Sequence, residues 1–252
     1  ERLLADSVRF ASFRYPFVVT YAVFGSLRMC EMIRQEICYT NLNVKIACSH
    51  GGVTPANDGA SHQAIEDMGV LRSIPNMTVM MPADYVSAKK LTRAAAETDG
   101  PMYLRFTRDA IPQIYDESVE LVIGKAHQIQ DGKDVAIIAN GDTVRLAIEA
   151  ANLLEEKGIS VRVLDMHTIK PLDVEAVTAC VNEIGKIITV EDHNIMNGLG
   201  SAVCEVAAEL GKGIVKRIGI QDQFGQSAPY ERLLAINGIT VENIVETAEK
   251  MQ

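Results

Sequence analysis

Short apolar runs rich in β-branched residues alternate with longer segments of helical period along almost the whole sequence. Runs such as Phe17–Tyr21 and Val135–Ala139 have the length and composition of buried strands, and apolar residues recur at three- and four-residue steps between them. Strand–helix alternation of this kind predicts a mostly parallel sheet with helices on both faces. The predicted fold class is therefore α/β.

The alternation stops between residues 107 and 119, where Pro112 and several charges leave no clear period. The chain has 252 residues, and a domain usually contains about 100–200. We therefore predict two three-layer α/β domains, residues 1–116 and 117–252. We also predict a helix over residues 62–73 with Ser61 as its N-cap, a helix capped by Asp84, and a hairpin around Asp131-Gly132.

Composition excludes several classes of protein. With 24 Lys and Arg against 33 Asp and Glu, the formal net charge is -9, which argues against a nucleic-acid partner. No apolar run reaches the roughly 18 residues of a membrane span, and the start does not resemble a signal peptide. The five cysteines form no CxxC pair, so neither a disulfide framework nor a zinc ribbon is expected. These features predict a cytoplasmic protein with reduced thiols and no membrane partner.

One junction does not fit the alternation. Residues 2–12 have helical spacing, yet the strand Phe17–Tyr21 follows almost at once. Connections in α/β units usually take about 2–6 residues. We therefore expect that a segment of the natural polypeptide is absent between Ser12 and Phe13.

The richest polar segment, residues 48–63, follows a predicted buried strand and includes His50, Asp58 and His62. In an open parallel sheet, ligands bind beyond the carboxyl ends of the strands, so this loop lies where a site is expected. Imidazoles can donate to a hydroxyl or carbonyl and can move protons near neutral pH. A surface loop whose His and Asp side chains stabilise its own turns explains the pattern equally well.

Other candidates also follow predicted strands. Arg108 comes after the last strand of the first domain, where a guanidinium can bind a phosphate, although a solvated cation paired with Asp109 is the simpler interpretation. Tyr21 and Phe24 could bind a flat ring or pack in the core. The remaining histidines, His127, His167 and His193, are scattered along the sequence, and structural or interface roles are assigned to His167 and His193.

Several runs together resemble the transketolase family from about residue 16 to the end. In the first half they are His50, Asn57-Asp58-Gly59-Ala60-Ser61-His62-Gln63-Ala64-Ile65-Glu66-Asp67, Leu71-Arg72-Ser73-Ile74-Pro75-Asn76-Met77 and Pro82-Ala83-Asp84. In the second half they are Val190-Glu191-Asp192-His193-Asn194, Gly198-Leu199-Gly200-Ser201-Ala202 and Asp222-Gln223-Phe224-Gly225. The chain is similar to the C-terminal subunit of a split transketolase, which contains a pyrimidine-binding domain and a C-terminal domain.

The resemblance implies thiamine diphosphate as cofactor and transfer of a two-carbon ketol unit between sugar phosphates. Tyr21 and Phe24 correspond to residues beside the aminopyrimidine ring, and Leu27 stands where the family often has a further aromatic. By the same resemblance, His50 and His62 are the catalytic residues and bind the sugar hydroxyls and carbonyl. The remaining family positions are Asp58, for a substrate hydroxyl, and Arg108, for the sugar phosphate.

The resemblance also implies a partner, because the family binds the diphosphate and its Mg²⁺ or Ca²⁺ on a domain that this sequence lacks. No metal site is therefore expected here, and the chain alone is expected to be inactive. The implied assembly is a homodimer within a heterotetramer with an N-terminal, diphosphate-binding transketolase subunit. The family's Ala-Glu-Gln motif, which provides the glutamate for the pyrimidine ring, is absent, and Glu1 does not occupy its context.

Three alternatives remain open at this stage. Two are enzymes: the β-subunit of a 2-oxo acid dehydrogenase and a deoxyxylulose-phosphate synthase. The third is a non-catalytic assembly paralogue, which the absent glutamate motif favours. The Ser61-His62-Gln63 run and Arg108 favour sugar phosphates as substrates, and hence the transketolase.

Overall fold

The computed structural model describes residues 16–252, so the predicted break at Ser12–Phe13 lies outside the described residues. The described strands are β1 Phe17–Tyr21, β2 Lys45–Ser49, β3 Thr78–Met80, β4 Met102–Arg105, β5 His127–Gln130, β6 Val135–Ala139, β7 Val161–Asp165, β8 Thr168–Lys170, β9 Lys186–Asn194 and β10 Ile214–Ile220. They form two five-stranded sheets, with orders β1-β2-β4-β3-β8 and β10-β9-β6-β7-β5. In each sheet four strands are parallel and one edge strand is antiparallel. The predicted α/β class is confirmed.

Helices connect most of the parallel strands. The α-helices are Cys30–Met32, Asp67–Arg72, Tyr85–Glu97, Val144–Glu156, Val174–Glu183, Leu199–Leu210, Tyr230–Ile236 and Val241–Glu249. Wider π turns, Phe24–Arg28 and Ile33–Cys38, flank the first of them, and short 3₁₀ turns cover Ala56–Asp58 and Gly141–Thr143. Among residues 16–252, none of the helices combines the length and apolar character that a membrane crossing requires.

Asp84 caps a helix as predicted. Its carboxylate accepts a hydrogen bond from the backbone N–H of Ser87 at 2.8 Å, and the Ser87 hydroxyl accepts in return from the Asp84 N–H at 2.9 Å. This reciprocal pair satisfies two backbone donors at the start of Tyr85–Glu97 that have no partner within the helix.

The prediction of a helix over residues 62–73 is wrong at its start, because the helix begins at Asp67 and Ser61 does not cap it. Gly52 and Ala64 exchange backbone hydrogen bonds of 2.8 and 3.1 Å, which close residues 52–64 into a loop. The N–H and C=O groups of Ala64 are therefore used across the loop and are not available to a helix. Residues 50–66 are called the histidine loop below.

The predicted hairpin around Asp131-Gly132 is also wrong. The strand before this turn, β5, pairs antiparallel with β7, whereas β6 lies between β7 and β9. Every residue of β6 is buried, which suits a central strand with helices on both faces, while β5 is only partly buried and occupies the edge.

The two sheets share one hydrophobic core, and a strand from the second half of the chain joins the first sheet. A single cluster of buried apolar residues includes Ile46 of the first sheet and Ile187 of the second. β8 comes from the second half of the chain but pairs with β3, and the backbone N–H of Met81 donates to the carbonyl of His167 at 2.8 Å. The carboxyl ends of the strands are therefore fixed relative to one another, and the polar loops of both halves meet there.

Candidate active site

The carboxyl ends of β1 and β2 bring an aromatic and a histidine ring together. Tyr21 is the last residue of β1, and it pairs in register with Ser49, immediately before His50. The Tyr21 and His50 ring centroids are 3.8 Å apart with an interplanar angle of 15°, so the rings stack. The parallel register of two neighbouring strands thus creates this contact.

Phe24 and His62 complete an aromatic cluster. Phe24 lies in the helical turn after β1, not within the strand, and its ring is nearly parallel to that of Tyr21 at 6.1 Å. The His62 ring meets the Phe24 ring edge-on at 5.6 Å. Tyr21 keeps 37% of its surface exposed, and Leu27, three residues after Phe24, keeps 39%. The cluster is therefore an open surface on which a flat ring can stack.

Each histidine of the cluster is oriented by the serine that precedes it. The Ser49 hydroxyl lies 2.8 Å from Nδ1 of His50, and the Ser61 hydroxyl lies 3.0 Å from Nδ1 of His62. With Nδ1 engaged, Nε2 is the ring nitrogen that can meet a ligand. Sequence reasoning missed this role of both serines, although each is directly adjacent to its histidine.

His50 has two further features of a functional residue. Its backbone φ is +65°, a left-handed conformation that costs free energy for a residue with a side chain and often occurs at active sites. Partial burial, followed by the positive charge of Arg108, lowers the pKa of the imidazole. The neutral ring, which can accept a proton, is therefore favoured at neutral pH.

Arg108 and Asp58 form an ion pair next to this cluster. Nη1 of Arg108 lies 3.4 Å from Oδ2 of Asp58, and it also donates to the carbonyl of Pro55 at 2.8 Å. Each side chain is 36% exposed, so an anion from solvent can reach the guanidinium. The ion partner of Arg108 is therefore Asp58, where the simpler sequence-based interpretation expected Asp109.

A buried arginine that sequence reasoning missed lies behind the histidine loop. Arg105 is fully buried, and its Nε lies 3.0 Å from Oδ2 of the equally buried Asp67. The Tyr103 hydroxyl donates to the same carboxylate oxygen at 2.6 Å. A buried charge is costly unless it is paired. The position of Arg105 at the end of an apolar strand was therefore the sequence signal that could have indicated a buried ion pair.

The other histidines lie apart from the aromatic cluster. His193 is fully buried, and its Nε2 accepts from the backbone N–H of Gly69 at 3.2 Å. His167 is buried immediately before β8, and His127 makes an edge contact with Tyr115 at 5.3 Å between ring centroids. Within residues 16–252, no three His, Cys, Asp or Glu side chains are grouped to bind a metal ion.

Comparison with known families accounts for both halves of the chain. Residues 8–113 match the transketolase pyrimidine-binding domain, and residues 124–244 match the transketolase C-terminal domain. A putative transketolase C-terminal section of Methanocaldococcus jannaschii is 42% identical over 91% of this chain and 73% of its own length. An apulose-4-phosphate transketolase subunit of Phocaeicola vulgatus is 40% identical, over 92% of this chain and 74% of its own length.

Structural comparison agrees with the sequences. A solved structure described as a split gene transketolase, inactive beta4 tetramer, superposes with a TM-score of 0.93 at 39% identity, covering 99% of this chain and 80% of that one. A 1-deoxy-D-xylulose-5-phosphate synthase of Geobacter sulfurreducens is 38% identical over 93% of this chain, but this chain spans only 37% of its length. The chain therefore belongs to the transketolase family, and it corresponds to the C-terminal section of a split transketolase.

Proposed function

We propose that this chain is the pyrimidine- and substrate-binding subunit of a thiamine-diphosphate-dependent transketolase that transfers a two-carbon ketol unit between sugar phosphates. The observation that carries the proposal is the meeting of two histidines, two aromatic rings and the Asp58–Arg108 pair at the carboxyl ends of β1, β2 and β4. The names of its relatives, a transketolase C-terminal section and an apulose-4-phosphate transketolase subunit, support it.

The aromatic cluster fits the ring part of the cofactor. Tyr21 and Phe24 present nearly parallel, partly exposed rings, and Leu27 adds an exposed apolar side chain beside them. These three residues would bind the aminopyrimidine. When bound, the cofactor supplies the carbon nucleophile and the electron sink for ketol transfer, so the protein has to orient the substrate and control protons.

His50 and His62 are assigned the proton control. Both present Nε2, because the preceding serines engage Nδ1. The lowered pKa of His50 keeps its ring neutral, so it can accept a proton from a sugar hydroxyl. His62, at the other end of the histidine loop, is assigned a hydrogen bond to the carbonyl oxygen and another hydroxyl of the sugar.

Arg108 and Asp58 are assigned the two polar ends of the sugar phosphate. A guanidinium binds phosphate by two parallel hydrogen bonds, and the Pro55 carbonyl already orients that of Arg108. Substrate phosphate would replace Asp58 as the partner of the arginine. The freed Asp58 carboxylate would then accept a hydrogen bond from a substrate hydroxyl.

The diphosphate and its Mg²⁺ or Ca²⁺ are assigned to an N-terminal partner subunit. Relatives named as a transketolase subunit and as a split gene transketolase support this division, and the split gene transketolase is described as an inactive tetramer of β chains. We infer that this chain is likewise inactive alone and forms a homodimer within a heterotetramer. The five free cysteines suit a cytoplasmic location, where thiols stay reduced.

The test combines this chain with a diphosphate-binding transketolase subunit, thiamine diphosphate and Mg²⁺, and measures ketol transfer from xylulose 5-phosphate. We expect activity only in the mixture, and a loss of roughly 100-fold or more in kcat for His62→Ala, as is usual when an acid–base group is removed. His127→Ala is the matched control and should retain wild-type activity. A His62→Ala mixture that binds cofactor and turns over at the wild-type rate would contradict the site assignment.

The deoxyxylulose-phosphate synthase remains the second candidate because of the Geobacter sulfurreducens relative. The same mixture distinguishes the two functions when it is given pyruvate and glyceraldehyde 3-phosphate. Release of CO₂ from pyruvate would favour the synthase, and ketol transfer without it favours the transketolase.

A further inference from the structure

The second half of the chain contacts the histidine loop from behind, at both ends of the loop. The backbone N–H of Val53 donates to both carboxylate oxygens of Asp192, at 3.1 and 3.0 Å. The N–H of Asn194 donates to the carbonyl of Ile65 at 2.7 Å. Since Asp192 and Asn194 belong to β9, one strand of the second sheet contacts the segments next to His50 and His62.

Arg105 joins these two ends. Its Nη2 donates to the carbonyl of Ala64 at 2.8 Å and to that of Asp192 at 2.9 Å. Near its start, the histidine loop packs closely against Arg105 and Asp192 through Gly51 and Gly52. A Cβ atom added to Gly51 would overlap the Arg105 side chain, and one added to Gly52, where φ is +61°, would overlap the Asp192 carboxylate. A side chain at either position would therefore force Arg105 or Asp192 to move, and at Gly52 it would also strain the backbone.

A second segment of the same half contacts the middle of the loop. The Ser227 hydroxyl donates to the carbonyl of Asn57 at 2.7 Å, and the Gln63 side-chain amide donates to the carbonyl of Gln226 at 2.9 Å. Asn57 precedes Asp58, and Gln63 follows His62. Asp58 and His62 therefore each have a direct neighbour that is hydrogen-bonded to the second half of the chain.

We propose that Asp192 and Ser227 are positioning residues for ketol transfer, Asp192 acting on His50 through Gly51–Val53 and Ser227 acting on Asp58 through Asn57. This inference rests on the proposed function. It gives the C-terminal domain a part in turnover, since the domain sets the geometry of a site whose substrate-binding side chains all belong to the other half.

The backbone at His50 explains why such support matters. His50 and Gly52 both have positive φ, at +65° and +61°. A strained conformation at a residue with a side chain persists only where its surroundings fix it. Removing the Asp192 carboxylate frees the Val53 N–H, so the entry to the loop can relax and the His50 ring can move away from its stack with Tyr21.

The first experiment needs no catalytic activity. Hydrogen exchange of the full chain is followed for peptides covering residues 48–66 in wild type, Asp192→Ala, Asp192→Asn and Asp165→Asn. Asp165 is the matched control, because it is an equally buried carboxylate of the second sheet whose hydroxyl donor is Tyr115, outside the loop. We expect faster exchange in Asp192→Ala only, since asparagine keeps one oxygen that can accept from Val53.

The second experiment measures kcat and KM in the mixture with the partner subunit. A misplacement of about 1 Å can lower the rate by up to roughly 100-fold, so we expect Asp192→Ala to lower kcat by about tenfold or more, with Asp192→Asn restoring most of it.

Ser227 is exposed, so Ser227→Ala should fold normally. It should raise KM for the ketose phosphate by roughly threefold with kcat unchanged, because it affects binding through Asp58. Ser73→Ala, at another exposed serine, is its control.

The outcomes separate the two proposals. An inactive wild-type mixture contradicts the proposed function, while the exchange experiment still decides whether Asp192 orders the loop. Equal exchange in Asp192→Ala and wild type overturns the role of Asp192. So does a folded Asp192→Ala enzyme with wild-type kcat, because Asp192 would then contribute to stability alone. An unchanged KM in Ser227→Ala overturns the role of Ser227.

Discussion

At the scale of single residues, Arg108 is the side chain assigned to the substrate phosphate. Its guanidinium is partly exposed, oriented by the Pro55 carbonyl and paired with the Asp58 carboxylate. Exposed ion pairs of this kind contribute only about 0–1 kcal/mol, so a substrate phosphate can replace the Asp58 partner at low cost.

We therefore expect Arg108→Ala to raise KM for xylulose 5-phosphate by roughly 10-fold or more, since a charge-assisted hydrogen bond contributes about 1.5–3 kcal/mol. KM for a ketol donor without phosphate should change little, and Arg108→Lys should recover part of the loss. Steady-state kinetics of the reconstituted mixture provide the measurement. Equal increases for both donors would show that Arg108 does not recognise the phosphate.

The site could be anticipated from sequence only where its residues follow strand ends. Tyr21, His50 and Arg108 each come after an apolar run, so their meeting follows from a parallel sheet. The contacts of Asp192 with Val53, and of Arg105 with Asp192, join residues 139 and 87 positions apart. Hydrophobic period gives no information on which loops of two different sheets meet, so these contacts could not be predicted.

At the scale of elements, the pairing of β8 with β3 should make the stability of the protein sensitive to acid. His167 immediately precedes β8, and burial followed by the nearby His127 lowers the pKa of His167 to about 4. An unfolded histidine has a pKa near 6.5, so the unfolded chain binds this proton first as the pH falls. The free energy of unfolding should therefore fall between pH 6.5 and about 4, by up to about 3 kcal/mol from this residue.

The measurement is urea unfolding of wild type and His167→Asn at pH 7 and pH 5. The variant should lose less stability than wild type between the two values. Asp165 acts in the opposite sense, because burial raises its pKa to about 7 and its contribution is lost as the pH rises. That contribution is common to both proteins and cancels in the comparison. Parallel pH dependence in the two would exclude His167 as the acid-sensitive group.

The elements themselves were largely predictable, and the errors have a common cause. Apolar period located most of the described strands, such as Phe17–Tyr21 and Val135–Ala139, because their apolar residues are contiguous in sequence. The predictions of a helix start at residue 62 and of a hairpin at Asp131-Gly132 were wrong, because hydrogen bonds to residues distant along the chain determine the structure at both places. Ala64 hydrogen-bonds across the histidine loop to Gly52, and β5 pairs with β7 because β6 lies between β7 and β9.

At the scale of the whole molecule, the common core and the pairing of β8 with β3 predict that the two sheets unfold together. β8 hydrogen-bonds to β3 across the sequence halves, and the apolar cluster with Ile46 and Ile187 continues from one sheet to the other. Neither half can unfold without exposing apolar surface of the other. Calorimetry and far-UV circular dichroism should therefore show one coincident transition. Two separate transitions would mean that the halves are independently stable.

The exposed stack of Tyr21 on His50 has a consequence for assembly. A cofactor bound by its ring to this chain and by its diphosphate to another is a shared ligand of two proteins. Thermodynamic linkage then requires reciprocity: the factor by which the second protein tightens cofactor affinity equals the factor by which cofactor tightens their association. The cellular supply of the vitamin-derived ligand would thus help to set how much of the complex exists at all.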